Sequence, residues 1–302
     1  MLDIVDRNKL KMELYKSGVS VERQREIIRM LEGESIRNRP LLHKDMRGGE
    51  FTEYDFDEHG IFAPVNRGYG QNTCGVVVGI ISNKTRQHPN GMKRVWIGSD
   101  PTRSMGALAE EECKRIQACI QLARTSALPI EWIPISAGAK IAMDSGTENL
   151  DWTAIVMREL VQFAEDRSCS SSGMVNIIVY GTNVGAQSYW NAQANMLMHT
   201  KGILIMTLQG SMVLTGKKAL DFSGSVSAED ERGIGGAERI MYPNGQAQVM
   251  ASDFGEAYHR LFEWYRFTYT NKEEFHPKCL PTKDELDRDV GLAQYRGHEE
   301  FA

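Results

Sequence analysis

The sequence predicts a layered α/β fold, and three observations predict it. Short, β-branched apolar runs recur at 130–135, 174–180 and 203–207. Segments with helical spacing of apolar residues alternate with them, as at 104–127 and 151–164. The runs break into glycine and other small residues at their C-terminal ends. Such alternation stacks helices on a sheet and gathers the loops on one edge. Ligands in folds of this kind bind at the C-terminal ends of the strands.

In chain order, residues 1–50 are polar and charge-dense. Val21 to Leu31 reads as an amphipathic helix, with Ser20 as N-cap and Val21, Ile28 and Leu31 on one face. The expected organisation is a helical arm over 1–50, a body over 51–270, and a charged, proline-containing linker or tail over 271–302. Within the body, Thr73–Ser82 and Lys93–Gly98 read as strands joined across the turn-rich Asn83–Gly91 segment. Ser104 to Ala127 reads as a long helix, with Leu108, Ile116 and Ile120 inward and Glu110–Glu112 near its start, where the macrodipole favours acids.

The strand at 130–135 runs into Ser136-Ala137-Gly138-Ala139-Lys140. Asp151 is placed to cap a helix through Ala164, and Arg167–Gly173 is a loop. Met174–Tyr180 enters a second glycine turn, Gly181 to Ala186, and a helix is expected over Gln187–His199. Ile203–Thr207 reads as a further strand and Ser211–Ala219 as a short helix. Gly233-Ile234-Gly235-Gly236 falls in a polar loop; it is not a GxGxxG after a strand, so a dinucleotide site is not indicated. Asp253 and Glu256 form a capping pair for an aromatic helix carrying Tyr258, Leu261, Phe262 and Tyr265.

Composition bounds the function. The 302 residues are 41% hydrophobic and 25% charged, as in an ordinary globular protein. With 35 basic against 40 acidic residues the net charge is −5, which excludes nucleic-acid binding by bulk charge. Five cysteines, widely spaced and with no CxxC or Cys/His cluster, support neither a disulfide framework nor a zinc site, so no metal is expected. The N-terminus has no signal-peptide apolar region, and no apolar run reaches the ~18 residues of a membrane span. A cytoplasmic protein is expected.

The stretch with chemical promise is Ser136 to Lys140. A turn of small residues at a strand end can leave consecutive backbone N–H groups, those of Ala137 and Gly138, aimed at a ligand, and paired donors suit a developing oxyanion. The same pattern also describes an ordinary βα turn. No Ser/His/Asp or Cys/His constellation at suggestive spacing accompanies it. Asn183 and Tyr189 are further candidates, whose plainer readings are an asparagine bridging backbone groups and a core tyrosine. His199, His259 and His276 are assigned no role, and Met196, Met198, Met206 and Met212 read as core filler.

Five motifs together carry a resemblance. Ser136-Ala137-Gly138-Ala139-Lys140, Gly181-x-Asn183-x-Gly185-Ala186, Met212 to Leu220 (MVLTGKKAL), Gly233-Ile234-Gly235-Gly236, and Ile240-Met241 with Asn244-Gly245 resemble the carboxyltransferase of biotin-dependent acyl-CoA carboxylases, in the same order over residues 74–267. The branch it is most similar to is the multidomain, acetyl-CoA-carboxylase type; the four-cysteine zinc ribbon of the short bacterial subunit is missing. The resemblance implies a crotonase-like (ClpP-like) fold of stacked ββα units in a superhelix, and covers the N-terminal one of two such domains. The charged tail falls where the second would begin.

It further implies an acyl-CoA substrate and an oligomer, homo- or hetero-, in which the carboxyltransferase C-domain, a biotin carboxylase and a biotin carrier lie on other domains or chains. Carboxybiotin is the implied carboxyl donor and its biotin the base, so the protein supplies positioning and oxyanion donors. Ala137 and Gly138 would hold the thioester oxygen; Ser136, Ala139, Lys140, Asn183, Gly185, Ala186, Gly235 and Gly236 would line the substrate. A non-catalytic acyl-CoA-binding or assembly module is the alternative. Lys140 stands where relatives carry arginine, giving a mobile point charge in place of a planar fork; its other reading is a solvated lysine. Gly235 and Gly236 would let backbone approach the ligand or a partner, or belong to a flexible loop.

Overall fold

The computed structural model describes residues 47–68, 70–143, 145–166, 173–194, 201–224 and 227–279, with scattered positions up to 291. The expected arm helix at 21–31, the loop at 167–172, and Met196, Met198 and His199 lie outside the described residues.

The centre is one eight-stranded sheet, built from β1 (Arg47–Phe56), β2 (Phe62–Pro64), β3 (Val76–Lys84), β4 (Met92–Ser99), β5 (Ile130–Ile133), β6 (Val175–Val179), β8 (Ile203–Thr207) and β10 (Val249–Ala251). Its order is β10-β8-β6-β5-β4-β3-β1-β2. From β10 to β4 neighbours are parallel; β4–β3–β1–β2 are antiparallel. The sheet takes in Arg47 to Glu50, before the expected boundary at 51, because β1 pairs with β3 from Arg47↔Lys84 onward. β1 and β2 are strands that the chain's polar start did not suggest.

Among the described residues six α-helices accompany the sheet: α1 (Glu110–Ser126), α2 (Glu148–Glu165), α3 (Ala186–Ala192), α4 (Lys217–Phe222), α5 (Glu231–Gly235) and α6 (Phe254–Thr268). Parallel strands are buried on both faces, so their side chains alternate between two cores. Ile177, Leu204 and Met206 point into one core, with Ile116 and Ile120 of α1 and Val156, Leu160 and Phe163 of α2. Ile178, Ile203 and Ile205 point into the other, with Leu261, Phe262 and Tyr265 of α6.

Several boundaries differ from expectation, each for a local reason. The helix expected from Ser104 starts at Glu110, because residues 104–106 form a 3₁₀ turn with left-handed backbone. Glu112 is more than a solvated first-turn acid: its two carboxylate oxygens accept from Gly75 N–H and Ala109 N–H, at 2.9 and 3.0 Å. Asp151 lies inside the first turn of α2 rather than capping it. Residues 182–184 and 211–213, expected as a turn and a helix start, are instead short strands, β7 (Thr182–Val184) and β9 (Ser211–Val213), paired in parallel as a separate two-stranded sheet. The Gly233–Gly236 loop is helical, α5 followed by a π-helical turn at Ala237–Met241. Asp253 caps α6 as expected, accepting from Glu256 N–H, while the Glu256 carboxylate reaches back to Ser252.

α6 is fastened to the sheet by a buried polar network. Arg94 of β4 and Glu131 of β5 are both fully buried and paired at 2.9 Å. The guanidinium also donates to Met92 O and Asn83 Oδ1, and stacks near the rings of Phe262 and Tyr265 at 5.1 and 5.6 Å. Glu131 accepts from Tyr258 OH at 2.7 Å and Tyr265 OH at 3.2 Å. Burial and then the Glu131 charge push both phenols well above their ordinary value. Burial alone would weaken Arg94's charge, but the surrounding Glu131 and tyrosine oxygens hold it above its ordinary value. A buried pair is tolerated only when its remaining hydrogen-bonding groups are met, and here they are.

Candidate functional site

Four of the predicted motifs are brought together at the C-terminal ends of β5, β6 and β8 by a short ladder running across the strand ends. Leu108 bridges Ala139, Ser136 bridges Asn183 of β7, Asn183 pairs with Met212 of β9, and Ser211 bridges Gly236. Residues from five separate segments thus share one hydrogen-bonded layer.

Ser136 is the hub of that layer and only 2% exposed. Its N–H donates to Thr182 O at 3.3 Å, its carbonyl accepts from Val184 N–H at 2.9 Å, and its hydroxyl accepts from Gly138 N–H at 3.0 Å. Gly138 has φ +89°, and a Cβ there would sit 3.2 Å from Val184 O, so the turn requires glycine both for its backbone conformation and for its closeness to the second turn. Leu108 donates to Gly138 O at 2.8 Å, and Lys140 N–H to Leu108 O at 2.7 Å.

The donors named from sequence are not open. Ala137, though exposed, gives its N–H to Met105 O at 3.1 Å, and Gly138 gives its own to Ser136 Oγ. Both N–H groups thus have acceptors within the chain, because the loop before α1 brings the Met105 carbonyl to the turn and Ser136 directs its hydroxyl back to Gly138. Residues 104–108, which sequence reading passed over as the start of a helix, are part of the site. Gly106, squeezed against the Ile135 carbonyl, was the only sequence signal for them.

The other candidates are placed as follows. Asn183 is fully buried, and its Nδ2 donates to Pro134 O and Gly181 O, the plainer of its two readings. Gly185, at φ +61°, donates its N–H to Val213 O, and Ala186 opens α3. Gly235 makes a close backbone approach, but to this chain's own Met212 carbonyl, with which a Cβ would collide. Gly236 donates to Arg232 O. Lys140 is exposed, and its carbonyl accepts from Asn149. Tyr189 is exposed on α3 rather than a core tyrosine. Met206 and Met212 are core residues.

On these turns or within a few residues of them, Met105, Ile141, Tyr189 and Leu214 are exposed apolar side chains, beside the exposed Lys140. None of the residues at 136–140, 181–186, 211–216 or 235–236 is a carboxylate, histidine or cysteine. What the edge offers is backbone, shape and an apolar rim. Elsewhere, the Cys74 and Cys113 thiols are pushed up to about 11 and about 12 by burial, which makes them inert. Among the described residues there is no group of metal-binding side chains, and no helix is long and apolar enough to cross a membrane.

A groove of about 1050 Å³ lies beside α6, lined by Phe51, Trp96, Phe254 and Tyr258 with Arg67 and Asp100, and it reaches Ile133 at the end of β5. No residue of the three turns lines it. The ladder rather than the groove unites the sequence motifs.

Comparison with known proteins agrees with this arrangement. Acetyl-CoA carboxylase of Schizosaccharomyces pombe is 35% identical over 94 residues, 31% of this chain and 4% of that protein. Acetyl-CoA carboxylase of Saccharomyces cerevisiae is 23% identical over 289 residues, 78% of this chain and 13% of that protein; a mitochondrial acetyl-CoA carboxylase of the same species is 20% identical over 294 residues. The chain thus spans 13% or less of the length of these relatives. Among solved structures, the beta subunit of Pseudomonas aeruginosa geranyl-CoA carboxylase superposes with a TM-score of 0.54 at 16% identity, over 85% of this chain and 41% of that one. Transcarboxylase 12S gives 0.56 at 22% identity, over 70% and 37%. These likenesses establish the crotonase-like fold expected from the motifs. A carboxyl transferase domain model matches residues 61–300, and the chain belongs to that family.

Proposed function

We propose that this chain is the acyl-CoA-binding half of a biotin-dependent carboxyltransferase, acting on the α-carbon of acetyl-CoA or propionyl-CoA. One observation carries the reading: the ladder that joins turns 136–140 and 181–186 to β9 and Gly236, at a strand-end edge with an apolar rim. Support comes from transcarboxylase 12S, a protein of this fold whose structure is described as a hexamer assembly with hydrolysed methylmalonyl-coenzyme A bound. Carboxybiotin, carried by another domain or chain, would supply the carboxyl group and, once it is released, the base.

The residues present fit that division of work. A thioester whose α-proton is removed accumulates charge on its oxygen, and N–H donors held in place stabilise that charge, each worth about 10²–10³ in rate. Ala137 and Gly138 supply those donors, Ser136 and Asn183 fix the two turns to each other, and Ala139, Gly185 and Ala186 keep the walls small. Gly235 and Gly236 support β9 from behind. Lys140, exposed at the rim, is placed for a charged group of the coenzyme rather than for the reacting carbon. The turns carry no carboxylate, histidine or cysteine, which supports a base supplied by biotin on another domain or chain.

The functional complex we propose contains a C-domain, a biotin carboxylase and a biotin carrier on other domains or chains, as an oligomer in the cytoplasm. The second reading, an acyl-CoA-binding or assembly module without catalysis, is favoured by the intrachain acceptors on both N–H groups. Calorimetry with acetyl-CoA and propionyl-CoA, followed by malonyl-CoA-dependent carboxylation of free biotin with and without a partner C-domain, separates the two. Binding plus partner-dependent turnover is expected. Binding with no turnover in the full assembly selects the module; no binding overturns both.

A further inference from the structure

The acceptors now engaged by the turn's donors are unusual. Met105, whose carbonyl holds Ala137 N–H, lies in three consecutive left-handed residues: Ser104 at φ 47°, Met105 at φ 53° and Gly106 at φ 71°. Side chains other than glycine rarely adopt this backbone, and such strain persists only where neighbours impose it. Met105's own side chain is 72% exposed and does not impose it. The constraint comes from the turn: Gly106 packs on the Ile135 carbonyl, and Leu108 pairs with Gly138 and Lys140. Ser136, which holds Gly138 N–H, uses a hydroxyl that can rotate away, while its backbone stays fixed by Thr182 and Val184.

We propose that the Met105 carbonyl and the Ser136 hydroxyl form a releasable latch. Both occupy the Ala137 and Gly138 N–H groups while no ligand is bound and yield them to the thioester oxygen of an acyl-CoA. The proposal rests on the acyl-CoA reading above. Gly138 is buried, and a buried N–H left unpaired is costly, so a donor there that waits for its ligand needs a stand-in acceptor that is adequate but displaceable. A rotatable hydroxyl and a strained carbonyl meet that need: the first leaves by a side-chain rotation, and the second relieves strain when it moves. Ser136 and Met105 are on this account positioning residues, acting through the turn.

The test uses the full chain and two ligands, acetyl-CoA and free CoA, which lacks the thioester carbonyl. Ser136→Ala is expected to tighten acetyl-CoA binding about fivefold to tenfold while leaving free CoA unchanged, since one hydrogen bond no longer has to be displaced. In the same variant, amide exchange at Gly138 is expected to accelerate without ligand. Met105→Gly, which adopts the left-handed backbone freely, is expected to weaken acetyl-CoA roughly threefold, again sparing free CoA, and to raise the urea midpoint. Equal shifts for both ligands, or unchanged exchange at Gly138, overturn the latch alone. A wild-type chain that binds free CoA and acetyl-CoA equally well, or neither, overturns the thioester reading and the latch with it.

Discussion

The two ends of β5 are built on opposite principles. Under α6, Glu131 is locked with Arg94, Tyr258 and Tyr265 in a closed set of charge-assisted contacts, fully buried and with its partners fixed by side chains. A few residues on, from Ser136 to Lys140, the same chain turns into a layer held by backbone hydrogen bonds, with a positive φ, an exposed Ala137 and an apolar rim. The first region spends polar chemistry on holding the sheet and helix in register. The second has almost no side-chain chemistry. On the proposed function, stability and ligand handling separate along one strand, and mutations should divide accordingly.

The sharpest way to break this contrast is at Glu131. Glu131→Leu leaves a buried guanidinium unpaired and is expected to cost about 3–5 kcal/mol in urea unfolding. Adding Arg94→Met should restore most of the loss, since an apolar pair of similar volume is often neutral. Acetyl-CoA affinity per folded molecule should not change; a parallel fall in affinity would mean the two ends are coupled. At the strand-end region, Gly235→Ala forces its Cβ into the Met212 carbonyl and must displace β9. The expected outcome is a smaller stability loss, about 1–3 kcal/mol, with acetyl-CoA affinity reduced at least tenfold by calorimetry. A variant that loses stability but binds normally would place the ligand away from β9.

The smallest effect tests whether a third charged cluster belongs with the first. Asp55 is paired with Arg115 at 2.7 Å and Arg67 at 2.8 Å. Burial works to raise its pKa, but the hydrogen bonds from Arg115 and Phe56 N–H outweigh it, so the folded value lies below the ordinary 3.8. The stability it contributes is thus fully present above about pH 4 and is lost as pH falls through the folded value. Urea midpoints of the wild type and Asp55→Asn measured from pH 7 to pH 3 should converge at the acid end; a constant gap would assign Asp55 a packing role instead.

The central parallel strands could be read from sequence because both their faces are buried, which writes them as unbroken apolar runs such as Val175–Val179 and Ile203–Thr207. β7 and β9 could not. Each has three residues, and what makes them strands is pairing between Thr182 and Ser211, 29 positions apart, which no local pattern records. The helix expected over Ser211–Ala219 begins only at Lys217. At the site, the motifs themselves were legible through their order, and Gly138's left-handed backbone explains its glycine. The acceptors were not legible, because Met105 O is a main-chain atom supplied by a distant loop. Glu131 interrupted an apolar run without showing that Arg94 lay beside it.

The outer strands of the large sheet, β2 and β10, are three residues each, and β2 ends on Pro64, which has no N–H to offer. A partner seeking to extend the sheet by adding its own strand finds almost no template among the described residues at either border. Within the described residues, growth of an assembly by continuous β-structure is thereby disfavoured, which protects a chain rich in buried apolar strands from edge-to-edge aggregation.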